Sequence, residues 1–169
     1  LTKLVALYLD GNQITNLNPL AGMANLTSLS VGGNGLVTVA PLSGLRKLTD
    51  LGLWGNQIVD IGPLSGLTNL VNLSFSGDHI ADASAVSNMT KLNSLDFWSN
   101  QLTGVGPLVK LTNLTWLSLG CNQVGDITPL RGLTRLTDLN FQQNHVPDAD
   151  AVSNMTRLTS FDSTADIHT

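Results

Sequence analysis

The stretch LTDLGLWGNQIVDIGPLSGLTNL, residues 48–70, decides the fold of this chain, because its residue types return at a fixed interval. Its first leucine recurs every 22 residues from Leu4 to Leu158, and Asn56 stands in a column that holds asparagine or aspartate in every repeat. No insertion or deletion interrupts the interval. A fixed period of this length indicates a repeat protein in which each unit stacks on its neighbours.

Each unit follows the frame L-x-x-L-x-x-L-x-L-x-x-N. Seven complete units occupy residues 1–154, and residues 155–169 begin an eighth. The L-x-L element predicts a short strand whose side chains alternate between two faces. One strand cannot bury its apolar face alone, whereas stacked units join these faces into one core. We therefore predict a single domain over 1–169, an α/β leucine-rich repeat solenoid with a parallel β-sheet on its concave face.

The second half of each unit predicts short 3₁₀ turns on the convex face. Ile58, Ile61, Pro63 and Leu64 show the pattern. Proline fixes φ and has no N–H group, so a long helix is not expected there.

The asparagine of each unit is expected in a tight turn, where its amide can satisfy backbone groups of adjacent coils. Asp78 and Asp166 take this place in two units and keep an acceptor while losing the donor, which costs on the order of 1 kcal/mol per bond. We assign these two aspartates no functional role. The glycines of the preceding turn position, such as Gly55, are expected to serve backbone geometry.

The run from Asn56 to Leu70 resembles the 22-residue repeat of bacterial internalins and related leucine-rich repeat proteins, and the resemblance covers essentially the whole chain. It implies a bacterial protein that is secreted or displayed at the cell surface, with a cytoplasmic scaffold as the alternative. Since the chain opens inside a repeat, we expect an uncapped fragment of a longer protein. Its bare ends, with Leu1 and Leu4 at one and Ser163 and His168 at the other, are expected to stack on another molecule.

The amino-acid composition argues against several classes of partner and of chemistry. Only 12% of residues are charged and the net charge is −4, which argues against nucleic acid or an anionic membrane surface as partner. No apolar run approaches ~18 residues, so no membrane insertion is expected. Cys121 is the single cysteine and is expected to be an inert small residue. We find no catalytic constellation and predict neither an enzyme nor a cofactor or metal site; His79 and His145 lie three coils apart, ~14 Å, too far to share a metal.

A second period of 66 residues overlies the first. Ala85 and Ala151 stand where most units have proline, in segments that otherwise match each other. We infer duplication of a three-repeat block and expect a fuller helical turn in these units, since the proline is gone and an aspartate can cap the turn. The recurrence signifies either a ligand site every three coils or simple gene history, and we favour gene history.

Alternation along the strands selects the residues of the concave face. The three tryptophans and the single tyrosine fall in outward-facing columns, interleaved with aspartates. Large exposed aromatics are favoured anchors in interfaces. The candidate binding residues are Tyr8, Asp50, Trp54, Asp96, Trp98, Trp116 and Asp138.

Three functions remain open for this face. The leading hypothesis is recognition of a protein partner that carries apolar anchors and some Lys or Arg. The second is glycan binding, as in an adhesin. The third is a structural or self-assembling solenoid without its own ligand, in which the tryptophans fold flat over neighbouring Ser and Gly and only shield the sheet.

Overall fold

The computed structural model describes residues 3–147 and 150–164, and the strands of this part form one open sheet. The eight strands, three residues each, are β1 Ala6–Tyr8, β2 Ser28–Ser30, β3 Asp50–Gly52, β4 Asn72–Ser74, β5 Ser94–Asp96, β6 Trp116–Ser118, β7 Asp138–Asn140 and β8 Ser160–Asp162. Each strand pairs in parallel with the next one along the chain. The predicted solenoid and its parallel sheet are confirmed.

Residues that pair between adjacent strands are 22 positions apart in the sequence, which is the length of one repeat. Leu29 pairs with Leu51, and Leu51 pairs with Leu73, each partner being one repeat further along the chain. All three leucines are at most 3% exposed. The leucine column therefore forms a continuous apolar ridge under the sheet, as period-2 alternation predicts.

The convex side consists of short 3₁₀ turns, which confirms the second half of the repeat frame. Their bounds are Asn18–Leu20, Ala40–Leu42, Gly62–Leu64, Ser84–Val86, Gly106–Leu108, Thr128–Gly132 and Asp150–Val152. The expected fuller helical turn in the proline-free units is wrong. The Ser84–Val86 turn is three residues long even though Asp82 Oδ1 accepts a hydrogen bond from the Ser84 N–H. The buried Val86 and the neighbouring coils fix the path of the turn, so removing proline alone does not lengthen it.

Aromatic residues fill the middle of the core. Phe75 and Phe97, from adjacent coils, are fully buried, and their rings stack with centroids 5.2 Å apart. Offset ring pairs of this kind add to the free energy gained from area burial alone.

The asparagine column links the coils as predicted. The Asn100 amide donates to the carbonyls of Phe75, Phe97 and Trp98 at 2.8, 3.2 and 3.1 Å. Its oxygen accepts from the Ile80 N–H at 2.9 Å. One side chain thus satisfies backbone groups of two coils, which matters because an unpaired buried backbone group is costly.

The turn before each asparagine requires a left-handed backbone. Gly55 adopts φ +66° there, whereas Ser99, Cys121 and Gln143 take φ between 52° and 55° in later coils. The expected geometric role of the turn glycines is confirmed, and the three later coils use side-chain-bearing residues in a conformation that favours glycine.

The two ends of the described chain bury less than the middle. Leu4, Leu7 and Leu9 are only partly buried, and Ser163 is exposed. Leu1, Asp148, Asp166 and His168 lie outside the described residues.

Candidate binding face

The strands present the predicted aromatic residues outward from the concave sheet. Tyr8 is 67% exposed, Trp54 44% and Trp116 39%, while Trp98 is partly buried. In the alternating positions, Leu53, Leu117 and Leu119 are buried, while Leu7 and Leu9 beside Tyr8 are partly buried. The assignment of faces made from the sequence is therefore correct for these side chains.

Two tryptophan rings lie over glycines of neighbouring coils, and they lean in opposite directions. A Cβ on Gly32 would lie 2.2 Å from Cε2 of Trp54, so the Trp54 ring covers the preceding coil. A Cβ on Gly120 would lie 2.4 Å from Cζ3 of Trp98, so the Trp98 ring covers the following coil. The shielding alternative thus describes part of what these two rings do, although Trp54 keeps a large exposed surface.

The concave face holds two open grooves, and Asp96 and Trp116 line both of them. The first groove, of about 310 Å³, runs from Tyr8 past Asp50 to Trp116 over a floor of serine, glycine and leucine. The second groove, of about 370 Å³, lies between Trp98, Trp116 and Asp138. Six of the seven candidate residues line one groove or both. Trp54 lines neither groove.

The groove carboxylates are held by local hydrogen bonds. Asp50 accepts from the Thr49 hydroxyl at 2.7 Å and from the Asn72 amide at 2.5 Å. Asp96 accepts from the Trp98 N–H at 2.9 Å and from the Ser74 hydroxyl at 3.2 Å.

Asp138 accepts from the Thr137 hydroxyl at 2.7 Å. Neutral donors position these three carboxylates, and neutral donors do not cancel their charge.

The concave face carries one sign of charge only. Three columns face outward, those that begin at Ala6, Tyr8 and Asp10 and recur every 22 residues. They contain five aspartates and no Lys, Arg or His in any of the eight repeats. Two of these aspartates, Asp10 and Asp162, were missing from the sequence-based set. Asp162 lines the second groove, and Asp10 accepts from the Ser30 hydroxyl at 2.6 Å and from the Gly32 N–H at 2.7 Å. Asp10 stands in the outward column of Trp54 and Trp98, and Asp162 in that of Tyr8 and Asp96, which is the signal that could have found them.

The 66-residue recurrence produces two convex depressions of unequal size. The depression beside Asp60 and Ala81 has a volume of about 290 Å³, and the corresponding one beside Asp126 and Pro147 only about 40 Å³. Pro147 stands where the larger depression has Ala81.

Among the described aspartates, Asp78 is the one whose pKa is raised by burial. It is 3% exposed; its Oδ1 accepts from the Ile58 N–H at 2.9 Å, and its Oδ2 has no partner. In the equivalent position of the next coil, the amide nitrogen of Asn100 donates to backbone carbonyls, whereas an ionised carboxylate oxygen has no hydrogen to donate. Desolvation raises the pKa of Asp78 from 3.8 to about 7, against the opposing effect of backbone hydrogen bonds.

Other chemistry is not found in the described part of the chain. Residues 3–147 and 150–164 hold no cluster of three or more His, Cys or Asp side chains placed to ligate a metal. Within these ranges, no helix has the length and apolar character that crossing a bilayer requires. Cys121 is partly buried and contacts the Gln143 side chain through its Sγ.

Comparison with known proteins supports the repeat assignment. The leucine-rich repeat profile of two copies matches residues 90–132. An internalin (InlF) of Listeria monocytogenes is 34% identical, with a TM-score of 0.94 over 97% of this chain and 48% of its own. Internalin C2 of the same species is 30% identical, with a TM-score of 0.92 over 97% of this chain and 74% of its own.

A leucine-rich repeat protein of Leptospira interrogans is 26% identical, with a TM-score of 0.89 over 96% of this chain and 44% of its own. The chain thus spans about half the length of several solved relatives. No curated protein sequence matches it significantly.

Proposed function

Because the chain belongs to the internalin-like family of bacterial leucine-rich repeat proteins, we propose that it recognises a protein partner on its concave face. The observation that carries this proposal is the pair of grooves that meet at Trp116, bordered by Trp98 and Tyr8 and by carboxylates in outward columns that hold no cation. The partner presents apolar side chains to the aromatic walls and Lys or Arg to the aspartates.

The aromatic residues and the aspartates of this face contribute to an interface in different ways. Tryptophan and tyrosine offer a large rigid surface with few rotatable bonds, and they dominate binding energy where water is excluded. Aspartates on a surface without cations attract a positively charged partner and repel negatively charged proteins. The convergence of Asp96, Trp98 and Trp116 therefore favours recognition over catalysis.

A location at the bacterial surface or outside the cell is part of the proposal. A surface-displayed solenoid meets its partner from solution, where charge steering raises the rate of encounter. The whole protein's partner is expected on the same face, because the two grooves together occupy most of the sheet.

The test is affinity capture followed by a binding titration. The chain and a Trp98→Ala/Trp116→Ala variant are immobilised and exposed to a lysate and to a glycan array. A Val59→Ala/Val109→Ala variant is the matched control, since these valines are 60% and 50% exposed and lie near the convex turns. A captured protein is identified, purified and titrated against all three chains.

We expect the tryptophan variant to bind this protein at least tenfold more weakly, while the valine variant binds like the original chain. Two hot-spot residues at about 2 kcal/mol each exceed that factor. Equal binding by all three chains contradicts the proposal. Selective loss of glycans instead of a protein would establish an adhesin.

A further inference from the structure

The cations of this chain lie along one edge of the solenoid. Lys3 precedes β1, Arg131 lies in the Thr128–Gly132 turn, and the other Lys and Arg residues stand in segments that lead from a 3₁₀ turn into the next strand. All of them are exposed. These basic-edge residues are Lys3, Arg46, Lys47, Lys91, Lys110, Arg131, Arg135 and Arg157. From the proline position of the turn to the residue before the strand, no repeat contains an aspartate or a glutamate. This segment of the repeat therefore carries positive charge and no negative charge.

From Lys3 to Arg135, one column of the basic edge alternates between a cation and an asparagine, and Arg157 follows in the next coil. In three successive pairs of coils the cation donates to the asparagine of the preceding coil: Lys47 Nζ to Asn25 Oδ1 at 2.7 Å, Lys91 Nζ to Asn69 Oδ1 at 2.7 Å, and Arg135 Nη1 to Asn113 Oδ1 at 3.0 Å. A neutral partner orients each cation and leaves its positive charge in place.

The asparagines are themselves fixed to the backbone. The Asn69 amide donates to the Arg46 carbonyl at 2.9 Å, and the Asn113 amide donates to the Thr90 carbonyl at 2.8 Å. Adjacent strands lie ~4.8 Å apart, so cations of every second coil recur at ~10 Å. From Lys3 to Arg135 the row is ~29 Å long. The edge therefore presents a row of positive charges that recur at every second coil.

We propose that the basic edge binds a linear sulfated polysaccharide. The disaccharide unit of such a chain repeats at about the ~10 Å interval of these cations, so equivalent sulfate groups of successive disaccharides can each face a cation. Each Lys or Arg that pairs with a sulfate releases a bound counterion, which favours association at low ionic strength. This site lies apart from the concave grooves, where the aspartates would repel the same ligand.

Two features of the edge disfavour other polyanions. Single nucleic acid strands depend on stacking against aromatic side chains for much of their binding energy. None of the repeats has an aromatic residue in the edge segment. An anionic bilayer offers a plane of charge, whereas five of the eight basic-edge residues stand in one column, and the described leucines of the edge segment pack into the core.

The experiment measures binding of a heparin-derived octasaccharide by calorimetry at about 50 and 200 mM salt. The edge variant is Lys47→Ala/Lys91→Ala/Arg135→Ala. The control, Asn16→Asp/Thr38→Asp/Gly104→Asp, lowers the net charge by the same amount. It places aspartate in the column where Asp60, Asp82 and Asp126 already stand.

We expect the edge variant to bind at least tenfold more weakly and the control to change affinity by twofold or less. The slope of log K against log salt should fall in magnitude by about two for the edge variant. The charge-preserving Lys47→Arg/Lys91→Arg/Arg135→Lys variant should bind like the original chain, which separates loss of charge from loss of folding. A chemically desulfated octasaccharide should not bind.

Three results would each overturn the proposal: no saturable binding by the original chain at low salt, equal loss in the edge variant and its control, or equally tight binding of polyphosphate or of vesicles rich in anionic lipid.

Discussion

Replacing Asp78 by asparagine should stabilise the fold, and the gain should depend on pH. The wild-type carboxyl has its pKa raised from 3.8 to about 7 because it is buried, and its Oδ2 lacks a donor. An amide at this position donates to backbone carbonyls, as Asn100 does in the next coil. The substitution therefore removes a titrating group and supplies the missing donor.

Proton linkage determines the direction in which the free energy of unfolding changes with pH. Because the pKa of Asp78 is higher in the folded state, the folded chain holds a proton that the unfolded chain releases as the pH rises above 3.8. Wild-type stability should therefore fall from about pH 4 and level off above about pH 7. One pKa unit corresponds to about 1.4 kcal/mol, so the loss between pH 5 and pH 8 is at most about 3 kcal/mol.

Urea unfolding followed by tryptophan fluorescence at pH 5 and pH 8 measures this difference. The lower limit of pH 5 keeps the measurement above the range in which Asp82 and Asp126 titrate, since their hydroxyl and backbone donors lower their pKa. The pH-dependent loss should disappear in Asp78→Asn. The reciprocal Asn122→Asp variant should acquire a second loss of the same sign, because Asn122 fills the equivalent place and is 5% exposed.

A wild-type free energy of unfolding that is flat between pH 5 and pH 8 would refute this reasoning. So would a gain in Asp78→Asn that is equal at the two pH values, since that would assign the whole effect to an added hydrogen bond of about 1 kcal/mol.

Three further substitutions test the packing of the solenoid. Ser99→Gly should raise the free energy of unfolding by about 1 kcal/mol, because Ser99 has φ 52°; a loss of stability in urea melts would contradict this. Gly120→Ala should displace the Trp98 ring, whose Cζ3 lies 2.4 Å from the added Cβ, and shift the tryptophan emission to longer wavelength; an unchanged spectrum counts against the described ring position. Phe97→Ala should cost about 3–5 kcal/mol by removing the ring stacked on Phe75, and thermal unfolding showing under 1 kcal/mol would contradict the described core.

The repeat made the backbone of this chain predictable. A strict interval places Leu29, Leu51 and Leu73 in register before any coordinates are known, because a parallel stack of equal coils has no other register that buries them all. The 3₁₀ turns followed from proline in the same way. The length of the Ser84–Val86 turn did not, since residue types alone do not show how the adjacent coils confine it.

The side-chain geometry of the site was only partly predictable. The columns identified Trp54 and Trp98 as outward-facing, but not that they lean apart. Their direction depends on the neighbour that lacks a Cβ: Gly32 precedes Trp54 by one coil, and Gly120 follows Trp98 by one coil. That signal is present in the sequence and becomes readable only once the columns are aligned.

The most direct test of the recognition surface is the salt dependence of binding to the captured partner. The original chain and an Asp50→Asn/Asp96→Asn/Asp138→Asn variant are titrated with that partner between about 50 and 200 mM salt. If the concave face binds a basic protein, the variant binds at least tenfold more weakly at low salt, and its affinity depends less on salt. If the two chains bind equally at every salt concentration, the concave carboxylates do not contact the partner and the proposed recognition surface is wrong.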